Sequence, residues 1–234
     1  MSFGLSINKV KTETMILNYI MKDTTNPYPK SIISLKNTPL INSESFKYLG
    51  CYISQDEPNT GDTEINQRIQ LATCKFAEMS NVLQNMNINL KARVKFFNSY
   101  VRSRLTYACQ NWNLTANQVH RLDSTYRKFL RRMVRNGFKF VDGKNNDYRL
   151  VITNDHLHRI CGTKNVSAFI ETQQRKFLAH IIRTDLNKNV KKLTFNSDKY
   201  TKRGRPAKTL LDIVTGDLNT SVDAFCTMAL QKKF

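Results

Sequence analysis

Two kinds of residue in this sequence could do chemistry, and their spacings lead in different directions. His156-Leu157-His158 with Cys161 puts three metal-capable side chains into one short span. A structural zinc site takes four ligands, usually from two clusters, and His180 is the one other nearby candidate. The bland reading, ordinary helix residues, is the stronger. No GxxxxGK[ST] loop, GxGxxG turn or local Ser/His/Asp or Cys/His grouping is present. An Asp-Asp pair is also missing. Two-metal nucleotidyl transfer needs carboxylates that hold a pair of Mg²⁺ ions against the attacking and leaving oxygens.

The second kind is basic. Arg121, Arg127, Lys128, Arg131, Arg132 and Arg135 fall within one stretch of helical period, with Tyr126 and Phe129 interleaved. Arginine's planar fork can bind two phosphate oxygens at once. A solvated helix face would explain any one of these residues, but explains less well so many with so few acids among them. Lys202-Arg203-Gly204-Arg205-Pro206 is the sharpest short motif. Its Arg-Gly-Arg-Pro core is similar to that of an AT-hook, in which arginines enter the narrow minor groove of A·T-rich DNA. Lys202, Arg203 and Arg205 could equally contact backbone phosphates. The segment could also be a helix entry, with Gly204 for the turn and Pro206 at the first helical position.

Composition favours the polyanion reading. The 234 residues carry 37 Lys and Arg against 18 Asp and Glu, a net charge of +19. Nucleic acid is the commonest partner of so basic a surface, because each neutralised phosphate releases counterions. An RNA–DNA or DNA duplex is therefore the expected partner. Five scattered cysteines without a CxxC suit a reducing compartment. No signal-like N-terminus and no apolar run of membrane-spanning length occurs. The expectation is an intracellular protein, nuclear or cytoplasmic, with no membrane partner.

These residues need positioning elements. Up to about Gly61 the chain reads as short strands near residues 12–17, 31–35 and 46–53, broken by turn residues. After Gly61 the period becomes helical. Asp62 caps a first helix, Asn89 a second through Leu105, and a third runs over 116–136 to stop at Gly137. Residues 142–147 look like a linker. Further helices are expected over 154–161, ending at Gly162, over 165–183, from Pro206 to Leu218, and after Ser221. The fold class is α+β, mainly α. Residues 1–60 form a small antiparallel β element, 61–140 a helical bundle and 141–234 a basic helical tail.

The order of these features resembles the C-terminal part of LINE-type, non-LTR retrotransposon reverse transcriptases. Gly4-Leu5-Ser6-Ile7-Asn8 with Lys11-Thr12-Glu13 is similar to a palm motif just after the catalytic Asp-Asp hairpin. Phe46-Lys47-Tyr48-Leu49-Gly50 resembles the primer grip, and Glu64 to Ile69 the start of the thumb. Leu105-Thr106-Tyr107 through Trp112-Asn113-Leu114 and Lys128 to Met133 resemble later thumb motifs. Phe177 to Arg183 and Gly204-Arg205-Pro206 resemble the tail beyond it.

The resemblance implies roles. Tyr48, Leu49 and Gly50 would hold the primer end, and Lys11 would be an accessory general acid for the departing pyrophosphate. Fingers, earlier palm motifs and the catalytic aspartates would lie before Met1. Mg²⁺ would belong to the parent RNA-directed DNA polymerase, and this chain would bind no cofactor itself. The chain would then be a nucleic-acid-gripping portion inactive alone, either joined to those missing parts or a stand-alone binding protein derived from a retroelement.

Overall fold

A computed structural model of the protein describes residues 7–8, 11–15, 33–35, 37–54, 61–134, 138–142, 147–150, 152–195 and 209–231, and for 138–142 and 147–150 the backbone alone. Helix dominates, with short strands mostly toward the N-terminus, so the α+β, mainly α class holds. The chain divides into two compact units, residues 1–67 and 68–234. The boundary expected near residue 140 has no counterpart in that division.

The first unit is a set of two-stranded ladders. β1 (Glu13–Thr14) pairs in parallel with β4 (Ile41–Asn42), β2 (Ser34–Leu35) antiparallel with β3 (Thr38–Pro39), and β5 (Ser45–Tyr48) antiparallel with β6 (Cys51–Ser54). Two expectations need correction here. The β element is not wholly antiparallel, and residues 46–53 form a hairpin rather than one strand. The chain reverses at Leu49 and Gly50, whose φ angles are 47° and 85°. Two consecutive left-handed residues suit the twist of a two-residue hairpin, and Asn-Gly is the usual way to supply them. Leucine carries no such signal, which is why the run reads as continuous. The buried Glu64 carboxylate accepts the Tyr52 backbone N–H at 2.8 Å.

The second unit is helical. α1 (Asp62–Glu78) bridges the division, followed by α2 (Ser80–Leu83) and α3 (Leu90–Phe97). Asn89 caps α3, its side chain accepting from Lys91 N–H at 2.8 Å. A π-helical turn, Asn98–Arg102, leads into α4 (Ser103–Leu105), and a 3₁₀ turn, Cys109–Asn111, precedes α5 (Ala116–Val134). At the expected linker, β7 (Phe138–Asp142) pairs antiparallel with β8 (Asp147–Leu150), so its end residues Asp142 and Asp147 belong to strands, and 143–146 lie outside the described residues. α6 (Asn154–Cys161) starts at a Thr153 cap and ends as expected at Gly162. Gly162 takes φ 60° and Thr163 N–H reaches back to His158 O, the helix-stop geometry glycine favours.

α7 (Val166–Arg183), α8 (Asn189–Phe195), α9 (Leu210–Asp217) and α10 (Val222–Leu230) complete the unit. α9 begins at a Thr209 capping box, four residues beyond the expected proline start; Pro206 and Gly137 lie outside the described residues. Ser221 caps α10 as expected, accepting from Ala224 N–H.

Two cores hold this unit. The first is aromatic: Phe76 stacks on Phe129 with centroids 4.9 Å apart, and Phe97 meets Tyr126 at 5.4 Å. Offset and edge-on arrangements at such distances add to the apolar burial. The second joins Leu178, Ala179 and Ile182 of α7 to Val214 of α9 and Phe225 and Ala229 of α10. Polar struts lie between them. Arg93 donates to Ile88 O, Leu83 O and Met133 O, which ties α2, α3 and the end of α5. Asp123 of α5 accepts from Ser167 N–H and Oγ–H at 3.0 and 2.9 Å, capping the first turn of α7. Gln174 donates to Trp112 O at 2.7 Å.

Candidate nucleic-acid interface

Helix α5 divides the basic residues assigned to it. Arg121, Lys128 and Arg132 sit at i, i+7 and i+11, which at 3.6 residues per turn puts them within about 40° of one another. Lys128 and Arg132 are exposed and Arg121 is half-buried. The Arg132 guanidinium also lies 5.6 Å from the centre of the Phe76 ring, a cation–π contact at the edge of the aromatic core, although the residue as a whole is exposed.

Arg127 and Arg131 point to a neighbouring face. Arg127 donates to Asn165 Oδ1 at 3.4 Å. Arg131 is buried, and donates to Ile152 O and Asn154 Oδ1, both at 2.8 Å. Burial, and then the nearby Arg127, lower its pKa from the usual arginine value. This corrects its place among the expected phosphate ligands: Arg131 ties α5 to the start of α6 and has no face left for a polyanion. A charged residue among charged neighbours gives no sequence sign of such a role. Arg135, Lys202, Arg203 and Arg205 lie outside the described residues.

The other assigned residues are in the first unit. Tyr48 and Leu49 are 58% and 76% exposed, so the hairpin tip presents an aromatic ring and an isobutyl group to solvent. Gly50 completes the turn. Beneath the tip, Lys47 Nζ lies 5.6 Å from the centre of the Tyr52 ring. Lys11 is exposed and sits before β1 in a tight turn, its backbone N–H donating to Asn8 O at 3.2 Å. The structure therefore puts Lys11 in a turn rather than on a strand.

Among the described residues no three His, Cys, Asp or Glu side chains gather as a metal site. His158 Nδ1 lies 3.2 Å from Thr163 Oγ1 and its ring stacks on Tyr126. Burial pushes the Cys161 and Cys109 thiols up to about 11, which keeps both protonated near neutral pH. One adjacent acidic pair does occur, Asp56-Glu57, so what the sequence lacks is specifically Asp-Asp; this pair follows the hairpin and lies outside the described residues. No helix among the described residues is long and apolar enough to cross a membrane.

No family model, curated protein or solved structure matches the chain. What the sequence missed lies on α3 and at the head of α7. The π turn places Arg102 4.3 Å from the centre of the Phe169 ring, and Phe96 and Tyr100 stack with both rings exposed. Only the density of aromatic and basic residues there could have flagged it.

Proposed function

We propose that this chain grips a nucleic-acid duplex through its phosphates, as the C-terminal portion of a retrotransposon-type RNA-directed DNA polymerase that lacks the catalytic aspartates. The observation that carries the grip is the row Arg121, Lys128 and Arg132 along α5, on a chain of net charge +19. Phosphate contacts of this kind set register and affinity with little sequence preference. The Tyr48-Leu49-Gly50 tip supports a second contact. An exposed phenol and an apolar side chain on a tight turn suit the sugar and base edge at a strand end better than a phosphate. Lys11 would act as accessory acid only beside a catalytic centre that other residues supply, with its Mg²⁺.

A stand-alone nucleic-acid-binding protein without enzymatic activity is the second reading. It is favoured by residues 68–234, which form a compact unit with its own cores and carry the α5 row.

Duplex affinity measured across salt tests the grip. With Lys128→Gln/Arg132→Gln, the slope of log K against log[salt] should fall by about 2, close to one per lost phosphate contact. A flat slope in the unmodified chain would sink the proposal. Primer extension separates the two settings: the purified chain with Mg²⁺ and deoxynucleotides should extend nothing, and extension should appear only when the missing polymerase parts are added. If no such addition ever restores extension while binding persists, the stand-alone reading stands.

A further inference from the structure

A cavity of about 310 Å³ opens between the π turn after α3, α5 and the loop that leads into α7. Three cationic side chains line it, Arg102, Lys164 and Lys176, and no carboxylate does so among the described residues. They come from separate parts of the chain, so the sequence gives no hint of their convergence. Arg102 is held with its guanidinium 4.3 Å from the centre of the Phe169 ring, and Tyr126 shares the cavity wall. Lys164 and Lys176 are exposed at the rim and free to turn inward. The wall supplies further polar groups, since Asn98 and Asn165 both face the cavity. The Asn98 Oδ1 atom is buried with no hydrogen-bond partner in the protein. Its amide could be turned to offer N–H donors instead, because oxygen and nitrogen are distinguished only by their partners. The α7 cap residue Asn165 makes no side-chain capping bond; the Asp123 carboxylate caps the first turn of that helix instead, through Ser167.

We infer that this cavity binds a phosphomonoester dianion. Three cations in a concave site exceed what one diester charge calls for, whereas a monoester carries nearly two charges at neutral pH. A concave, half-open cavity suits the terminus of a strand or a single nucleotide, while a continuous backbone runs along an open surface such as the α5 row. The inference goes beyond the duplex grip and does not depend on it.

The test uses the full chain and two single-stranded DNA oligonucleotides, identical except for a 5′-phosphate or 5′-hydroxyl, with affinity read by fluorescence anisotropy. The 5′-phosphate strand should bind about tenfold more tightly, which corresponds to about one additional charge-assisted hydrogen bond. Lys164→Gln/Lys176→Gln should erase that ratio, and both residues are exposed, so the fold is not at stake. Lys91→Gln/Lys95→Gln removes the same charge from an exposed stretch of α3 and should leave the ratio intact. The preference should also shrink below about pH 6, as the monoester takes up its second proton. Adenosine 5′-monophosphate distinguishes the sources: displacement of the strand by it, and not by adenosine, indicates a mononucleotide ligand, and failure to displace indicates a strand end. Equal binding of the two strands by the unmodified chain, or equal loss of the ratio in both double variants, overturns the inference. Either result leaves the duplex slope measured on Lys128 and Arg132 unaffected.

Discussion

The two units of this chain use their apolar residues in opposite ways. In residues 68–234, Phe76, Phe97, Tyr126, Leu130 and Met133 are almost fully buried, and a second cluster gathers around Phe225. In residues 1–67, Leu40 and Ile65 are the buried apolar side chains among the described residues, while Ile33, Ile41, Phe46, Tyr48 and Leu49 are exposed. One unit is held by side chains that exclude water. Among its described residues the other shows backbone ladders two to four residues long, and short ladders without a covered face are marginal by themselves. The lesson is about where function can sit. A packed unit can spare its charged surface for a partner, and an open one can spare apolar surface.

The largest expected effect breaks the packed side of this contrast. Phe97→Ala removes a ring that touches Phe76, Tyr126 and Phe129. It should cost about 3–5 kcal/mol of the stability of the helical unit, read by urea unfolding. Phe46→Ala, at a position 38% exposed in β5, should cost no more than about 1 kcal/mol in the same measurement. Similar losses for the two would show that the contrast is not real.

A neighbouring pair of arginines sharpens it at the next level. Arg131→Met leaves Ile152 O and the Asn154 amide without their donor, and should destabilise by about 1–3 kcal/mol. Arg132→Gln should change stability by less than about 0.5 kcal/mol while lowering the salt slope of duplex binding by about 1. If Arg131→Met lowered the slope and left stability alone, the assignment of the two residues would have to be exchanged.

Those two arginines also mark how far the sequence can be read. Asn89, Gly162 and Ser221 announce helix ends because their side chains, or the lack of one, act within a few residues of the backbone they serve. The apolar period places Leu122, Tyr126, Phe129 and Met133 inward for the same local reason. Arg131 and Arg132 are adjacent and chemically alike, and only the arrival of Ile152 and Asn154 from elsewhere in the chain separates them. Asp123 is likewise explained by Ser167, far away in sequence. Residues 142–147 read as a linker because they are polar, although the ladder of β7 and β8 on either side is what matters. The cationic cavity was not legible at all, since Arg102, Lys164 and Lys176 meet only in three dimensions. The roles that rest on resemblance, those of Lys11 and the hairpin tip, depend on a partner strand that neither sequence period nor packing reveals.

A smaller effect should come from pH. Burial, opposed mainly by a hydrogen bond from the ring to Asn165, holds the His158 pKa below the ordinary histidine value. The folded state therefore binds fewer protons than the unfolded state as pH falls. The stability this histidine protects is fully present above about pH 6.5 and declines as pH drops through and below that value. His158→Gln should flatten the unfolding midpoint between pH 7 and pH 5.5 relative to the unmodified chain. An unchanged pH slope would mean that another group is responsible.

The smallest effect is the most informative about the open unit. Leu49 holds φ at 47°, a conformation that disfavours a leucine and that asparagine tolerates far better. Leu49→Asn creates Asn-Gly at a two-residue hairpin turn and should stabilise the β5–β6 pair by a few tenths to about 1 kcal/mol. Slower hydrogen exchange of the ladder amides in β5 and β6 would report it. The same substitution removes the most exposed apolar group of the tip. If that group meets a strand end, affinity for a recessed primer–template duplex should fall even as the hairpin becomes firmer, while affinity for a blunt duplex stays constant. A firmer turn with unchanged binding of both duplexes would leave the leucine a local accident of the turn and remove the tip from the interface.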